Sequence, residues 1–290
     1  MSPEKIKSRE QAAKQIKLIT LDFDGTLLQR DQIWISLRNR HALRECQKKG
    51  ILLVPCTGRS AAMFPPQIEQ DASFRYWVTA DGARIIDRSS QTVLVQETFT
   101  PEESAEMARL FEGRGIYSET AADGSLYFEK EVLDKIWQYP VPSHHVWLFE
   151  SGRALAAEGR LSDHLLKEKL GVEKFNLFNV PEDARRGIRA AVEKLPFAVL
   201  FELAPGDFQI RCIRTNRIIS LQKLLEHLGL TFDNVMSLGD SPDFDGPLIK
   251  RAALGIAMGN AEESLKTVAD DVTLRSDEDG VAAAIEKWLL

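Results

Sequence analysis

The chain has 290 residues, of which 44% are hydrophobic and 28% are charged, proportions that are typical of globular proteins. They exclude a mostly disordered chain, a collagen-like polymer and a coiled coil. The 37 basic and 43 acidic side chains give a formal net charge of −6. This charge argues against a nucleic-acid-binding protein, which usually carries a basic domain or stripe. It allows a phosphorylated substrate, since one local cationic pocket is enough to bind a phosphate.

The amino-terminal segment is charged throughout and lacks the apolar core of a secretion signal. No run of the sequence approaches the roughly 18 apolar residues that a membrane span needs. Cys46, Cys56 and Cys212 are too few and too scattered for a disulfide framework or a zinc site. We therefore expect a cytoplasmic protein that contacts neither a membrane nor nucleic acid.

The first 85 residues contain three β-prone apolar runs, and a polar cluster follows each of them. The clusters begin at Asp22, at Thr57 and near Asp81. The runs span residues 16–21, 51–56 and 76–79. Apolar strands that end in polar residues, with a helical pattern between the first two, indicate a βαβ unit of a parallel sheet. Polar residues at the carboxyl ends of such strands are expected to share one crevice.

The helical pattern between the first two strands predicts an N-cap at Ser36. Gly50 is expected to end this helix. The register predicted for its partly buried face contains Leu37, His41, Leu43 and Arg44.

The middle of the chain mixes strand-like and helical runs without the pattern of a strand followed by an acid. The strand-like runs are 92–95, 125–128 and 199–203, and the helical runs are 101–114, 162–170 and 182–195. This mixture predicts an α+β insert, which we expect to act as a lid.

The end of the chain returns to the first pattern. A helix is predicted over 220–228, and a buried strand over 234–238 ends in Gly239-Asp240. We therefore predict an α/β fold with a doubly wound, Rossmann-like parallel-sheet core. The predicted core covers 1–85 and 213–290, and the inserted α+β cap domain covers 86–212.

Two carboxylates, Asp22 and Asp24, directly follow the first predicted strand. The sequence has five Asp-Gly pairs, and such pairs are common in turns, so Asp24-Gly25 alone would indicate only a turn. The acidic cluster at Asp240 adds weight, because two distant carboxylate groups that converge would suit Mg²⁺. A carboxylate can attack phosphorus if a divalent ion and fixed donors neutralise the charge. A protonated second carboxyl can then supply a proton to the leaving oxygen.

Six short motifs are spread in order along nearly the whole chain. They are Asp-x-Asp-Gly-Thr-Leu-Leu (22–28), Thr-Gly-Arg (57–59), Asp-Gly-Ala (81–83), Gly-Asp (239–240), Ala-Met-Gly-Asn-Ala (257–261) and Glu-Asp-Gly-Val (278–281). Together they resemble the motifs of the haloacid-dehalogenase-like phosphatases. The resemblance is strongest to the Cof-type branch, in which an α/β cap of type IIB is inserted into the core.

The resemblance implies a role for several residues. Asp22 would be the nucleophile and Asp24 the general acid and base. Mg²⁺ would be held by the Asp22 side chain, the Asp24 backbone carbonyl and Asp240. The phosphate- or substrate-binding positions would be Gly25, Thr57, Gly58, Asp81, Gly82, Arg217 and Asn260, of which Thr57 and Arg217 would also take part in catalysis. The substrates implied are small phosphorylated metabolites, usually sugar phosphates, and the protein would be a monomer or a homodimer.

Two departures from the family pattern concern the phosphate-binding positions. Arg217 stands where the family usually has lysine, and its planar fork is larger than an ammonium group; Arg214 and Lys223 are alternatives for this cation. Asp81 replaces the usual Asn, and an ionised carboxylate cannot donate a hydrogen bond to a phosphate oxygen. We expect Asp81 either to change the choice of substrate or to be a turn residue that faces solvent.

A third departure lies in the last acidic motif. Asp243 takes the position of the usual Asn and Phe244 that of the second Asp, while Asp245 falls one residue later. Asp243 and Asp245 are therefore equal candidates for completing the metal shell.

Two other functions remain open from the sequence. A phosphomannomutase-like phosphotransferase would use the same aspartyl phosphate and pass the group to a sugar. A catalytically weakened phosphometabolite-binding protein would explain the three departures. The retained Asp22, Asp24, Thr57 and Asp240 argue against the binding protein, whereas the phosphotransferase differs from the phosphatase only in its product.

Overall fold

The computed structural model describes residues 3–139, 141–142 and 145–290. The strands are β1 (Leu18–Leu21), β2 (Leu52–Pro55), β3 (Tyr76–Thr79), β4 (Arg84–Asp87), β5 (Thr92–Gln96), β6 (Tyr117–Ala122), β7 (Ser125–Phe128), β8 (Ala154–Ala156), β9 (Val172–Phe178), β10 (Ala198–Ala204), β11 (Asp207–Cys212), β12 (Val235–Gly239), β13 (Leu254–Ala257) and β14 (Asp271–Val272). The helices are α1 (Pro3–Ala13), α2 (Leu37–Lys48), α3 (Pro66–Glu69), α4 (Pro101–Ala108), α5 (Lys130–Asp134), α6 (Val146–Glu150), α7 (Leu161–Lys167), α8 (Glu182–Val192), α9 (Arg217–Leu228), α10 (Gly246–Arg251), α11 (Glu263–Lys266) and α12 (Gly280–Trp288). Over the described ranges, no helix combines the length and apolar character needed to cross a membrane.

The chain forms two compact units. The first comprises Met1–Gly58, Phe64–Val95 and Arg217–Leu290, and the second comprises Arg59–Met63 and Gln96–Asn216. The insert predicted from the sequence starts at residue 86, ten residues before Gln96, where the second unit resumes. The difference arises because β3, β4 and β5 form one three-stranded sheet, which keeps β4 and most of β5 with the first unit.

The first unit is built on a five-stranded parallel sheet with the strand order β14–β13–β12–β1–β2. All four residues of β1 are buried, and a strand covered on both faces of a parallel sheet reads as a continuous apolar run. Inside the sheet, the Thr20 hydroxyl donates to Ser237 Oγ over 2.9 Å. Since β1 and β12 are parallel neighbours, Asp22 and Asp240 follow them at the same edge of the sheet.

Helix α2 begins as predicted, because Ser36 Oγ accepts a hydrogen bond from the Asn39 backbone N–H over 3.0 Å. Its predicted buried face is wrong at three of four positions, since Leu37 (84% exposed), His41 and Arg44 are exposed and only Leu43 is buried. The residues that the helix buries are Asn39, Ala42, Leu43 and Cys46. Asn39 is buried because its Oδ1 accepts a hydrogen bond from the Ala282 backbone N–H over 2.8 Å.

The third predicted strand, β3, lies beside the end of β2 through a single parallel bridge between Cys56 and Val78. It pairs with β4 in antiparallel register. The tight turn between them places Ala80 and Asp81 in the left-handed region, with φ of 47° and 60°. This turn carries Asp81 to the edge of the sheet at which Asp22 lies, since one arginine side chain reaches both carboxylates.

The second unit contains a six-stranded sheet with the order β10–β11–β9–β6–β7–β8. Its paired strands are antiparallel except for β7 and β8, which are parallel. Apolar side chains of α4, α7 and α8 pack on this sheet around Phe175. The predicted fold class, a parallel-sheet α/β core with an α+β insert, is confirmed.

The other face of the second unit's sheet buries a carboxylate, Glu119, which is 1% exposed. Its oxygens accept hydrogen bonds from the Tyr117 hydroxyl over 2.8 Å and from Asn176 Nδ2 over 3.3 Å, and His145 Nδ1 lies 2.6 Å away. Burial opposes ionisation, but His145 and these donors outweigh it and hold the pKa of Glu119 below its usual value.

Candidate active site

The turn after β1 brings the first acidic residues to the edge of the parallel sheet. The Asp22 backbone N–H donates to the Leu238 carbonyl of β12 over 3.4 Å. Gly25 has φ of +72°, and a Cβ atom at this position would overlap the Asp240 carboxylate. Glycine therefore meets two demands at once, the left-handed backbone and the close approach of Asp240.

Three carboxylates from distant parts of the sequence meet here. Asp22, Asp240 and Asp245 each offer an oxygen, and these oxygens lie within 4.8 Å of one another. Asp243 is exposed at the surface and lies outside this group. The structure thus brings together Asp245, and not Asp243, with the two acids that the sequence motifs single out.

The three carboxylates resist ionisation. Burial and the neighbouring Asp245 charge raise the pKa of Asp22 well above its usual value, although Arg217 opposes the shift. Burial and Asp245 likewise raise the pKa of Asp240 to about 7. Crowded carboxylates of this kind are stabilised by a cation, and carboxylate oxygens are hard ligands that suit a divalent ion. The donor set therefore fits a divalent metal.

Asp245 also shapes the turn that follows β12. Its Oδ2 accepts hydrogen bonds from the backbone N–H groups of Asp240 and Ser241, each over 3.0 Å. Gly239 is required beside it, because a Cβ atom there would overlap the Asp245 side chain. Asp245 thus fixes the backbone that carries Asp240.

Arg217, the first residue of α9, supplies the positive charge of the site. Its Nη1 donates to Asp245 Oδ1 over 2.6 Å and lies 3.8 Å from Asp22 Oδ1. The alternatives for this cation lie elsewhere: Arg214 belongs to the second unit and pairs with Glu103 over 2.6 Å, and Lys223 is exposed. Arg217 is thus the cation that contacts the acidic cluster.

Asp81 is buried, with 1% exposure, so the expectation that it faces solvent is wrong. Its Oδ1 accepts two hydrogen bonds from Arg217, from Nη2 over 2.7 Å and from Nε over 3.2 Å. No motif of the sequence predicts this pair. Both positions depart from the family pattern, one by gaining a negative charge and the other by gaining a fork-shaped cation, and that joint departure is the signal that could have revealed it.

Two glycines and a threonine that the motifs single out lie around this pair. Thr57 is 1% exposed, and its carbonyl accepts a hydrogen bond from the Asp81 backbone N–H over 3.1 Å. A Cβ atom at Gly58 would lie 3.3 Å from Asp81 Oδ1, and the Gly82 carbonyl accepts a hydrogen bond from a serine hydroxyl of α9.

Asn260 serves the acidic cluster through its side-chain amide. Its Nδ2 donates to the Gly25 carbonyl over 2.8 Å and to Asp240 Oδ2 over 3.3 Å. Its Oδ1 accepts a hydrogen bond from the Ser276 backbone N–H over 2.9 Å. Asn260 thereby holds the turn after β1 against the residue that follows β12.

A parallel sheet with convergent carboxylates and a cation at its carboxyl edge is the arrangement that the haloacid-dehalogenase resemblance implies. Residues 19–285 match the family model described as haloacid dehalogenase-like hydrolase. The chain therefore belongs to this family of hydrolases.

Individual relatives specify the activity further. The chain is 31% identical over 278 residues to the 5-amino-6-(5-phospho-D-ribitylamino)uracil phosphatase YcsE of Bacillus subtilis (strain 168), covering 95% of this chain and 96% of the relative. It is 26% identical to the phosphatase YwpJ of the same strain, covering 94% of this chain and all of that protein. The chain is thus a phosphatase, a hydrolase of phosphoric monoesters.

Solved structures share the fold of this chain. A haloacid dehalogenase-like hydrolase from Bacteroides thetaiotaomicron superposes with a TM-score of 0.76 at 27% identity, covering 94% of this chain and 99% of that one. A subclass IIB sugar phosphatase shares the fold with a TM-score of 0.72 at 21% identity, covering 93% and 98% of the two chains. The Cof-type architecture with a type IIB cap, expected from the motifs, is confirmed.

Proposed function

We propose that the protein hydrolyses small phosphorylated metabolites, with sugar phosphates as the substrate class, in a Mg²⁺-dependent reaction through an aspartyl phosphate on Asp22. The observation that carries the proposal is the convergence of the Asp22, Asp240 and Asp245 oxygens within 4.8 Å. Arg217 lies beside them, with Nη1 3.8 Å from Asp22 Oδ1. Phosphoryl transfer to an aspartate requires a carboxylate nucleophile, a site for a metal ion and a fixed cationic side chain.

In the first step, an ionised oxygen of Asp22 attacks the phosphorus in line with the leaving alcohol. The bond from phosphorus to the ester oxygen breaks, and the alkoxide takes a proton from the Asp24 carboxyl. Asp24 lies two residues beyond the nucleophile in the turn that Gly25 allows. It is half-buried, so it can exchange protons with solvent between turnovers.

In the second step, a water molecule attacks the phosphorus of the aspartyl phosphate. Asp24, now ionised, takes a proton from this water as the bond from phosphorus to Asp22 breaks. The products are inorganic phosphate and the free Asp22 carboxylate, so the enzyme returns to its starting state with no change of oxidation state.

The Asp22 and Asp240 side chains, together with the Asp24 backbone carbonyl, would hold the Mg²⁺. Asp245 contributes to this site from its position against the Asp240 and Ser241 backbone N–H groups. When bound, the ion neutralises the carboxylates and the phosphoryl oxygens, which otherwise repel each other. Asn260 and Thr26 keep Asp240 in place, since Asn260 Nδ2 and the Thr26 hydroxyl donate to its two oxygens.

The phosphoryl group would be bound by Arg217, by the Thr57 hydroxyl and by backbone N–H groups of the turns at Gly25 and at Gly58. Backbone donors in tight turns suit an anion because they present fixed partial charges. Gly82 lies in the turn between β3 and β4, which the Ser220 hydroxyl of α9 holds beside the site. Of the positions that the motifs single out for phosphate binding, this proposal keeps Gly25, Thr57, Gly58, Gly82 and Arg217 next to the phosphoryl group, whereas Asp81 and Asn260 bond to other residues of the site.

Three relatives of this chain, at 31%, 25% and 26% identity, are named 5-amino-6-(5-phospho-D-ribitylamino)uracil phosphatases. That compound is a phosphate monoester of a ribityl chain and so belongs to the wider class of sugar and sugar-alcohol phosphates. We include it as the first specific compound to test.

The experiment is a Mg²⁺-supplemented screen of phosphate monoesters that measures the release of inorganic phosphate. The panel contains sugar phosphates, nucleotides and 5-amino-6-(5-phospho-D-ribitylamino)uracil. We expect turnover of at least one sugar or sugar-alcohol phosphate, loss of turnover when a chelator removes Mg²⁺, and recovery when Mg²⁺ is restored. Formation of an isomeric sugar phosphate without inorganic phosphate would instead indicate a phosphotransferase.

A further inference from the structure

We propose that Asp81 is a positioning residue, which holds the Arg217 guanidinium toward Asp22 and the phosphoryl group so that the two side chains act as one unit. The inference rests on the proposed function, since Arg217 is taken there to bind the phosphoryl group. It goes beyond that function by giving Asp81 a role that needs no contact with substrate.

The contacts of Arg217 fix the plane of its guanidinium. Nε and Nη2 donate to Asp81 Oδ1 on one side, and Nη1 donates to Asp245 Oδ1 on the other. A guanidinium has five N–H groups in a rigid fork, and these bonds use three of them. With both sides held, Nη1 stays 3.8 Å from Oδ1 of Asp22, the proposed nucleophilic residue.

Asp81 is itself held by its backbone. Its φ of 60° is left-handed, a conformation that aspartate and asparagine tolerate better than other residues with a side chain. Its N–H donates to the Thr57 carbonyl over 3.1 Å. The turn is also tied to α9, because the Ser220 hydroxyl donates to the Gly82 carbonyl over 2.6 Å. Asp81 therefore presents its carboxylate from a fixed point.

The charges explain why a carboxylate is needed at this position. The Arg217 side chain is 7% exposed and the Asp81 side chain 1%, so each is largely removed from water and depends on its partner. Arg217 also begins α9, and a helix N-terminus disfavours a cation. Asp81 offsets both effects, whereas its burial and its lack of donors when ionised argue against a direct bond to a phosphate.

The three departures from the family pattern meet at this guanidinium. Besides Asp81 and Arg217 themselves, Phe244 lies with its ring centroid 5.7 Å from Arg217 Cζ, within the range of a cation–π contact. An arginine at this position therefore has three partners that suit it: two carboxylates and an aromatic ring. Because Asp81 and Phe244 both contact this guanidinium, we interpret the three changed residues as one group that positions Arg217 rather than as three unrelated substitutions.

The test is a double-mutant cycle with Asp81→Asn and Arg217→Lys. Asparagine keeps the shape and tolerates the left-handed backbone, so the variant removes mainly the charge. We expect its kcat to fall about 10- to 100-fold, because small misplacements of a group that acts on the transition state cost this much. Its KM should stay the same or fall, since one negative charge near the phosphate is removed.

Arg217→Lys is expected to lower kcat/KM about 100-fold, because an ammonium lacks the fork that bonds to Asp81 and Asp245 together. In the double variant, the asparagine that replaces Asp81 carries no charge, so no carboxylate is left at this position without its fork-shaped partner. Multiplying the two single reductions gives the kcat/KM expected if the residues act independently. The kcat/KM of the double variant should be about 10-fold or more above that value. Effects that simply multiply, or a wild-type kcat in Asp81→Asn, would overturn the inference.

The structure offers a matched control in the same three-stranded sheet. Arg75 bonds to Asp87 through Nε over 3.0 Å and Nη2 over 2.7 Å, and the Asp87 side chain is 5% exposed. Asp87→Asn should lower the melting temperature and leave kcat and KM unchanged. If it lowers kcat as much as Asp81→Asn does, the effect at Asp81 is one of general stability, and the positioning role is refuted.

A second measurement separates this inference from the proposed function. Binding of inorganic phosphate, measured by calorimetry in the presence of Mg²⁺, gives the same cycle without turnover. We expect Arg217→Lys to weaken binding, and the double variant to bind phosphate more tightly than the two single effects predict. If the wild type hydrolyses no phosphate monoester yet shows this coupling, only the proposed function fails. Hydrolysis by the wild type without coupling in either assay means that only the positioning role fails.

Discussion

The two units of the molecule each bury a carboxylate group, but they compensate its charge differently. In the second unit, Glu119 is surrounded by hydrogen-bond donors of the protein, and its pKa lies below the usual value. In the first unit, Asp22 faces Asp245, Asp24 and Asp240, and its pKa is raised well above the usual value. Arg217 offsets only part of this repulsion.

The way in which its charge is compensated distinguishes a buried acid that stabilises the fold from one that belongs to a functional site. A carboxylate whose oxygens are satisfied by the protein stabilises the fold and needs nothing else. Crowded carboxylates destabilise the fold, and such a cluster is retained where it binds a cation or reacts. Burial alone would not separate Glu119 from Asp22, whereas the sign of the pKa shift does.

The largest expected effect tests the site directly. Asp22→Asn should lower kcat by at least about 10⁴-fold, because an amide of nearly the same shape is a poor nucleophile and loss of a nucleophile has effects of this size. The metal-free variant should melt at the same temperature as the wild type or higher, since a buried charge facing like charges is removed. Phosphate release measures the loss of kcat, and thermal unfolding measures the melting temperature. Full activity in this variant would exclude the aspartyl phosphate.

Asp240→Asn should weaken Mg²⁺ binding and lower kcat/KM at limiting Mg²⁺ by about 10- to 100-fold. The reason is that the amide keeps one oxygen ligand but removes a charge from the cluster. Calorimetric titration with Mg²⁺ measures the change, and activity should partly recover at high Mg²⁺. Unchanged Mg²⁺ affinity would place the ion away from this carboxylate.

Gly25→Ala should lower kcat/KM about 10- to 100-fold, because the added methyl group pushes Asp240 away and misplaced catalytic groups cost this much. Gly50→Ala is the matched control: it has the same left-handed backbone, with φ of +75°, and no atom within 4 Å of the added Cβ. Both variants should lose stability, but only Gly25→Ala should lose activity. Equal loss of activity would attribute the effect to backbone strain.

Glu119→Gln tests the structural role of the buried carboxylate in the second unit. It should destabilise the protein by about 1–3 kcal/mol, the typical cost of weakening a buried hydrogen-bond network, while Mg²⁺ affinity stays at the wild-type value. Urea unfolding and calorimetry measure the two quantities. A variant that is as stable as the wild type would show that the charge of Glu119 is as poorly compensated as that of Asp22.

The smallest effect is a dependence of stability on pH, with opposite signs in the two regions. The folded state raises the pKa of Asp240 to about 7, so it binds more protons than the unfolded chain, and this contribution to stability is lost as the pH rises from about 4 to 7. For Glu119 the folded pKa is lowered, so its contribution is present above about pH 4 and is lost as the pH falls.

Melting temperatures of the metal-free protein between pH 4 and 8 test these signs. Relative to Asp240→Asn, the wild type should lose roughly 5 °C as the pH rises. The difference in melting temperature by which Glu119→Gln falls below the wild type should instead become smaller as the pH is lowered. A constant difference between wild type and Asp240→Asn across this range would contradict the raised pKa.

Much of the first unit could be predicted from the sequence, because buried parallel strands are continuous apolar runs. The residues that follow them, such as Asp22 and Asp240, are then placed at one edge by topology alone. The predicted boundary between residues 85 and 86 falls inside β4, since the pairing of β4 with β3 depends on tertiary contacts that a four-residue run does not encode.

Polar residues with buried roles were the hardest to foresee. A hydrophobic period does not reveal which polar side chain finds a buried partner. It placed Leu37, His41 and Arg44 on the buried face of α2 and left out Asn39, although Asn39 bonds to the Ala282 backbone. The choice between Asp243 and Asp245 could not be made either, because it depends on the turn that Asp245 itself holds. The Asp81–Arg217 pair joins residues 136 positions apart, and no local pattern records such a partner.

The pairing of β1 with β12 also decides when a newly made chain can first act. Thr20 and Ser237, which bond to each other in the sheet, are separated by 217 positions. At the usual rate of translation, the second strand leaves the ribosome roughly 10 to 40 s after the first. On the proposed mechanism, Asp22 has no partner acid from β12 during that interval. A nascent chain that has not yet released β12 would therefore be inert toward phosphate esters, and activity would begin only after that strand has joined the sheet.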